Sequence, residues 1–198
     1  MSQKIQWSEL TSRLIAREDL TSEETSWAMD QVMSGETSPV VLAGFLTALA
    51  TKGETPDELR GLADAMLSHA LPNEVEASLL DNVGTGGDRL HTVNNSTMAT
   101  LDNAAGGVPV VKHGNRASSS SSGSADCLEA LGVNLTMSLD AVYRCFEELG
   151  ITFIFANVFH PSMKYAAQAR RELGVRTAFN LLGPLTNPAR PSSSVIGV

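Results

Sequence analysis

Three glycines and an aspartate in Gly84-Thr85-Gly86-Gly87-Asp88 follow a short apolar run, and Asn94, Ser96 and Thr97 come soon after. Glycines let successive backbone N–H groups close around an anion, so phosphate is the ligand this spacing suggests. A tight strand-to-helix turn has the same composition, and both readings stand. The pattern is neither GxGxxG nor GxxxxGK[ST], which takes weight from the two large nucleotide-binding classes. Asn94, Ser96 and Thr97 can simply cap a helix. Beside a nest of N–H groups, their oxygens also suit phosphate or Mg2+.

A second cluster, Lys112, His113, Asn115 and Arg116 around Gly114, crowds the end of an apolar strand and runs into serines 118 to 122. So many polar chemistries together favour a binding role over a solvated loop. Ser124 reads as the cap of the helix that follows. The third cluster is His160-Pro161-Ser162-Met163-Lys164, with Arg170 further on. Pro161 marks a first helical turn, which sets His160 at a strand–helix junction. The Arg170 guanidinium can fork onto a carboxylate across a cleft. An exposed helix surface shared with Arg171 and Glu172 is the competing reading. His69 and His91 read as ordinary residues. No HExxH, nucleophile elbow or cysteine–histidine metal spacing is present, so a hydrolase site cannot be assembled.

The elements that must carry these clusters change character along the chain. Up to about residue 70 the signals are helical. Thr21 with Glu24, and Thr55-Pro56-Asp57-Glu58, are capping-box patterns. Leu42, Phe45, Leu46 and Leu49 follow the helical period, as do Leu59, Leu62, Ala63, Met66 and Leu67, with Gly53 between the two runs. No basic face accompanies this pair, so it does not read as a DNA-binding motif. After Pro72, residues 78–83, 107–114, 151–156 and 193–198 read as strands. Helical stretches at about 95–105, 124–131, 138–149 and 162–173 alternate with them. The fold class is therefore α/β: a small N-terminal helical domain over 1–72, then a mostly parallel sheet flanked by helices over 73–198. Ligands in such folds collect at the carboxyl ends of strands, where all three clusters are expected to lie. The sequence ends on a strand with no closing helix, so it is expected to be incomplete at the C-terminus, the front part of a longer protein.

The totals narrow the function classes. At 198 residues with 42% hydrophobic content, the chain can bury a real core. A formal charge of -8 argues against a nucleic-acid or membrane-surface binder, though not against a phosphorylated small molecule. No signal-peptide core opens the sequence, and residues 39–50 form too short an apolar window to span a bilayer. With Cys127 and Cys145 read as two buried thiols, a cytoplasmic location is expected.

Taken together, GTGGD, NNST, KHGNR with GSAD and LEALGV, FANVFHPSMK and RTAFNLLGPLTNPA resemble the anthranilate phosphoribosyltransferase family, from the helical front end to residue 198. The resemblance implies transfer of the 5-phosphoribosyl group from phosphoribosyl pyrophosphate to anthranilate, in tryptophan biosynthesis. It also implies Mg2+, release of pyrophosphate and a homodimer formed through the helical domain. It places Gly84, Thr85, Gly86, Gly87, Asp88, Thr92, Asn94, Ser96, Thr97, Lys112 and Ser124 at phosphoribosyl pyrophosphate, with Ser96 also a metal contact. Gly84, His113, Asn115, His160 and Arg170 would line the anthranilate route, with Arg170 meeting the carboxylate. His113 is the one candidate general base.

Asn95 and Ser121 depart from the family pattern, where an apolar residue and a lysine are frequent. An acidic pair that holds Mg2+ in the family is expected beyond Val198, so the 198-residue chain alone is expected to be inactive. A pyrimidine-nucleoside phosphorylase, related in fold and phosphate turn, is the alternative enzyme. A non-catalytic nucleic-acid-binding relative is the alternative outside enzymes, disfavoured by the acidic balance.

Overall fold

The computed structural model describes residues 4–72, 75, 78–86, 93–117 and 122–198. Helices α1 (Trp7–Ile15), α2 (Ser22–Met33), α3 (Pro39–Lys52) and α4 (Pro56–Ser68) lead into strand β1 (Leu80–Gly84). Helix α5 (Asn95–Ala105), β2 (Val110–Gly114), α6 (Ser124–Ala130), α7 (Leu139–Leu149) and β3 (Ile151–Phe155) follow. Then come the one-turn α8 (Ala156–Phe159), a 3-10 turn (Pro161–Met163), α9 (Lys164–Leu173), α10 (Ala178–Leu185) and β4 (Ser193–Gly197). Contacts divide the chain into two units, Met1–Ala70 with His160–Thr186 and Leu71–Phe159 with Asn187–Val198.

The helical unit forms where its end signals say it should. Thr21 and Thr55 each accept the N–H of the glutamate three residues on, and Glu24 and Glu58 accept the threonine N–H in return at 2.8 Å. Glu58 is fully buried, yet its charge is met by Lys52 Nζ at 2.9 Å and the Leu20 N–H at 2.9 Å. Leu42, Phe45, Leu46 and Leu49 form the buried stripe of α3. Helices α2 and α4 cross at Gly61, where a Cβ would stand 2.1 Å from the Ser22 carbonyl oxygen. Residues 160–186 belong to this unit although their place in the sequence suggests the α/β part. Ala166, Ala169, Ala178, Phe179 and Leu182 are buried in the same core as Leu42, Phe45 and Leu49. The apolar faces of α9 and α10 are therefore covered by helices rather than by the sheet.

The second unit is a parallel four-stranded sheet in the order β3-β2-β1-β4. Val110, Val111 and Ile154 are wholly buried, as expected of parallel strands covered on both faces. The β2–β3 ladder runs from Val110↔Ile151 to Gly114↔Phe155, and β1–β4 from Leu80↔Ser193 to Gly84↔Gly197. Between β1 and β2 there is one registered pair, Leu80↔Val110. Pairing in β2 begins at Val110 rather than at residue 107, because Gly107, with φ of 85°, still belongs to the turn that ends α5. Cys127 and Cys145 are free thiols, half-buried rather than buried, since each sits on a helix flank. Among the described residues, no helix is long and apolar enough to cross a membrane.

Candidate functional site

The glycine turn leaves β1 at its carboxyl end. The Thr85 N–H donates to the Gly197 carbonyl at 2.9 Å, which fixes the start of the turn against β4. Gly86 has φ of 66°, a conformation in which a side chain would be strained. Gly87, Asp88 and Thr92 lie outside the described residues. Asn94 then caps α5: its Oδ1 accepts the Thr97 N–H at 3.0 Å and the Ser96 hydroxyl at 3.1 Å. Its Nδ2 donates to the Ser122 carbonyl at 3.2 Å. The cap thus joins the helix start to the end of the serine run, whose members 118–121 are outside the described residues.

Lys112 is only 1% exposed, a burial that a solvated charge cluster would not have. Its Nζ donates to the Asn82 carbonyl and, at 3.1 Å, to Ser96 Oγ. Burial lowers its pKa to about 8, against the opposing pull of the Asp81 carboxylate. Asp81 is itself fully buried, and burial raises its pKa despite hydrogen bonds from Asn187 and the His113 N–H and the nearby Lys112 charge. Its Oδ1 accepts the His113 N–H at 3.1 Å and its Oδ2 accepts Asn187 Nδ2 at 2.9 Å. Neither Asp81 nor Asn187 is among the residues expected from sequence. A lone aspartate inside the apolar run Leu79-Leu80-Asp81-Asn82-Val83 is the signal that could have found it, since a buried carboxylate demands partners.

Beyond β2 the backbone is packed tightly. A Cβ on Gly114 would stand 2.1 Å from Ser124 Oγ. Ser124 is the first residue of α6 and not its cap. Gly123 is the N-cap, and Asp126 Oδ2 accepts both the Gly123 N–H at 3.0 Å and the Ala117 N–H at 2.9 Å. Asp126 makes the return half of a capping box, with no side-chain cap from Gly123, and Ser124 Oγ faces the Asn115 carbonyl at 3.5 Å. Asn115 is exposed and donates to Asn157 Oδ1 at 3.3 Å. Arg116 turns outward and binds Glu129 through both terminal nitrogens, at 2.7 and 2.8 Å. That reduces it to a strut of the loop base.

The residues expected on the acceptor route divide between the units: His113 and Asn115 in the second, His160 and Arg170 in the first. His160 does not stand directly at a strand end, because α8 intervenes after β3. It is buried, its Nε2 is 2.9 Å from the Thr186 carbonyl, and burial depresses its pKa to about 4. It is therefore neutral at physiological pH, with Nε2 the protonated nitrogen. Arg170 is half-buried, with its guanidinium carbon 4.9 Å from the Phe179 ring centroid, and burial lowers its pKa. It forms no ion pair among the described residues, and its burial sets it apart from a guanidinium on an ordinary exposed helix face.

The described residues hold no group of three or more His, Cys, Asp or Glu side chains able to bind a metal ion. Ser96 Oγ can give one oxygen ligand, but it already accepts from a lysine ammonium. A divalent cation fits there only with anionic oxygens between it and Lys112, which an incoming pyrophosphate would supply. The second unit thus brings a buried lysine and a capped helix start together beside the glycine turn at the carboxyl end of β1.

Family models meet near residue 70 of the sequence and leave 160–186, which pack with the helices, inside the a/b match. Residues 76–198 match the model of a glycosyl transferase family, a/b domain, and residues 8–70 that of the same family's helical bundle domain. The chain is 60% identical over 191 residues to an anthranilate phosphoribosyltransferase of Saccharopolyspora erythraea, covering 96% of this chain and 54% of that protein. It is 61% identical to one from an Arthrobacter species, covering 97% and 54%. The crystal structure of anthranilate phosphoribosyltransferase from Thermus thermophilus superposes with a TM-score of 0.90 at 53% identity, covering 96% of this chain and 58% of that one. The Saccharomyces cerevisiae enzyme, in complex with PRPP and Mg, gives 0.87 at 28% identity, covering 97% and 58%. The chain spans just over half the length of the curated relatives it matches.

Proposed function

The chain belongs to this glycosyl transferase family, and on that premise we propose that its protein transfers the 5-phosphoribosyl group from phosphoribosyl pyrophosphate to anthranilate. The product would be N-(5-phosphoribosyl)anthranilate, and the pathway tryptophan biosynthesis. One observation carries the reading: a buried lysine ammonium meets a capped helix start beside a glycine turn, all at the open ends of β1 and β2. A pyrophosphate is the leaving group such a cradle suits.

In this reading the bond from ribose C1 to the pyrophosphate oxygen breaks with its electrons leaving on oxygen. The anthranilate nitrogen bonds to C1 and then loses its proton. Charge grows on the departing oxygens, so donors already aimed at them lower the barrier. The turn of Gly84 to Asp88, apart from the Thr85 N–H already given to the Gly197 carbonyl, would fill that role with the Ser96 and Thr97 end of α5 and the Lys112 ammonium, and Thr92 and Ser124 would flank the donor. Mg2+, when bound, would neutralise pyrophosphate charge, with Ser96 Oγ as the ligand this chain offers. The acceptor amine is a weak base that is neutral at pH 7, so orientation matters more than proton abstraction. Arg170 meets its carboxylate, and Gly84, Asn115 and His160 shape the route. His160 acts as a neutral hydrogen-bonding wall. His113 stands beside the donor end, as the candidate base.

The helical unit is the proposed homodimer surface, and the cytoplasm the proposed location. Loss of anthranilate fluorescence with phosphoribosyl pyrophosphate and Mg2+ tests the reading in a chain extended to its relatives' length. Turnover there, with none in the 198-residue chain, is the expected result. Phosphorolysis of thymidine or uridine instead would replace the reading with a nucleoside phosphorylase.

A further inference from the structure

The gap between β1 and β2 is filled by side chains in place of a ladder. After the single pair Leu80↔Val110, three main-chain groups find side-chain partners. The His113 N–H goes to Asp81 Oδ1 at 3.1 Å, and the Val111 carbonyl accepts from Asn187 Nδ2 at 2.9 Å. The Asn82 carbonyl accepts from Lys112 Nζ. The two hydrogens of one amide nitrogen thus tie Asp81 on β1 to the backbone of β2. The amide's own Oδ1 accepts the Ala189 N–H at 2.9 Å, which fixes its orientation. Asp81, Lys112, His113 and Asn187 are all at least nine-tenths buried.

We propose that Asp81 and Asn187 are a positioning pair that holds the parted ends of β1 and β2 so that the Lys112 ammonium is presented to the anion cradle. The pair touches no substrate. Its effect on the anion passes through Lys112, and this role rests on the phosphoribosyl transfer proposed above. Asn187 gives an unusually clean test because its amide nitrogen faces two oxygens. Asn187→Asp keeps the shape but sets a carboxylate oxygen against Asp81 Oδ2 and the Val111 carbonyl. Asn187→Ala removes the donor without adding a buried charge, so a loss shared by both variants marks the amide donor.

The experiment compares a parent chain extended to its relatives' length with its Asn187→Asp, Asn187→Ala and Thr152→Val variants. Thr152 lies in the same unit, is buried and donates its hydroxyl to the Val142 carbonyl at 3.0 Å, so its variant controls for general loosening. Pyrophosphate with Mg2+ is titrated calorimetrically. Acetylation of lysines by a small reagent, mapped by mass spectrometry, reports whether Lys112 stays protected. Both Asn187 variants should weaken pyrophosphate by about tenfold or more and make Lys112 reactive. Thr152→Val should lower the unfolding midpoint while keeping both properties.

Unchanged affinity and protection in Asn187→Asp would overturn the proposal. So would equal losses in Thr152→Val, which would reduce the pair to ordinary packing. If the parent itself binds no pyrophosphate, the proposed transfer fails. Lys112 protection across the four proteins then still decides the positioning pair.

Discussion

Lys112 Nζ stands 3.1 Å from Ser96 Oγ, a bond that joins strand β2 to the first turn of α5. A charge at this depth needs its partners, and Asp81 and the Asn82 carbonyl are those partners. Lys112→Met keeps the length but strands the buried Asp81 charge. Stability should fall by about 3 kcal/mol in urea unfolding. Pyrophosphate affinity, read by calorimetry, should drop by at least about tenfold. Parent-like affinity would remove Lys112 from the cradle.

His160 provides a pH signature. Its folded-state pKa is about 4, lowered by burial from the ordinary 6.5. Between those values the unfolded chain binds the proton and the folded chain does not, so stability is lost as pH falls from 6.5 towards 4. The loss should reach about 3 kcal/mol. His160→Gln keeps an N–H donor for the Thr186 carbonyl and should flatten this part of the curve. Urea midpoints measured across pH would check it, and an equally steep curve in the variant would locate the titrating group elsewhere.

The role proposed for Arg170 bears on the acceptor alone. Its guanidinium stacks on Phe179 and has no ion-pair partner among the described residues, leaving its fork available for a carboxylate. In a chain of the relatives' length, Arg170→Ala should raise the KM for anthranilate by about tenfold or more, with the KM for phosphoribosyl pyrophosphate little changed. Equal effects on both substrates would point to a packing role.

Two glycines separate packing from propensity in the helical unit. A Cβ at Gly61 would lie 2.1 Å from the Ser22 carbonyl oxygen, whereas at Gly44 it would meet nothing within 4 Å. Gly61→Ala should therefore destabilise by about 1–3 kcal/mol. Gly44→Ala, inside α3, should stabilise by up to about 1 kcal/mol. Thermal melts of the two variants should move in opposite directions.

Much of the architecture is written locally. Thr21 with Glu24 and Thr55 with Glu58 mark helix starts because the partners sit three residues apart and need nothing else. Helix α5 likewise occupies the stretch its composition suggests, with Asn94 as its cap. What escapes a local reading depends on distant partners. Asn187 and Asp81 are 106 residues apart, and no periodicity connects them. Lys112 reads as part of a polar cluster, and only the sheet around it makes it a buried ion. Helix α10 carries Pro184 inside it, so its sequence argues against a helix that tertiary packing nonetheless sustains. The capping of α6 by Gly123 and Asp126 is a smaller case, hidden because Ser124 is the better-known type of cap.

The open ends of β1 and β2 are the proposed pyrophosphate site. A crystal structure of the chain extended to its relatives' length, with phosphoribosyl pyrophosphate and Mg2+, tests it most directly. Phosphate oxygens should lie within hydrogen-bonding distance of the Gly86 N–H, Ser96 Oγ and Lys112 Nζ. Density for the ligand at saturating concentration that avoids Lys112 and the start of α5 would contradict it.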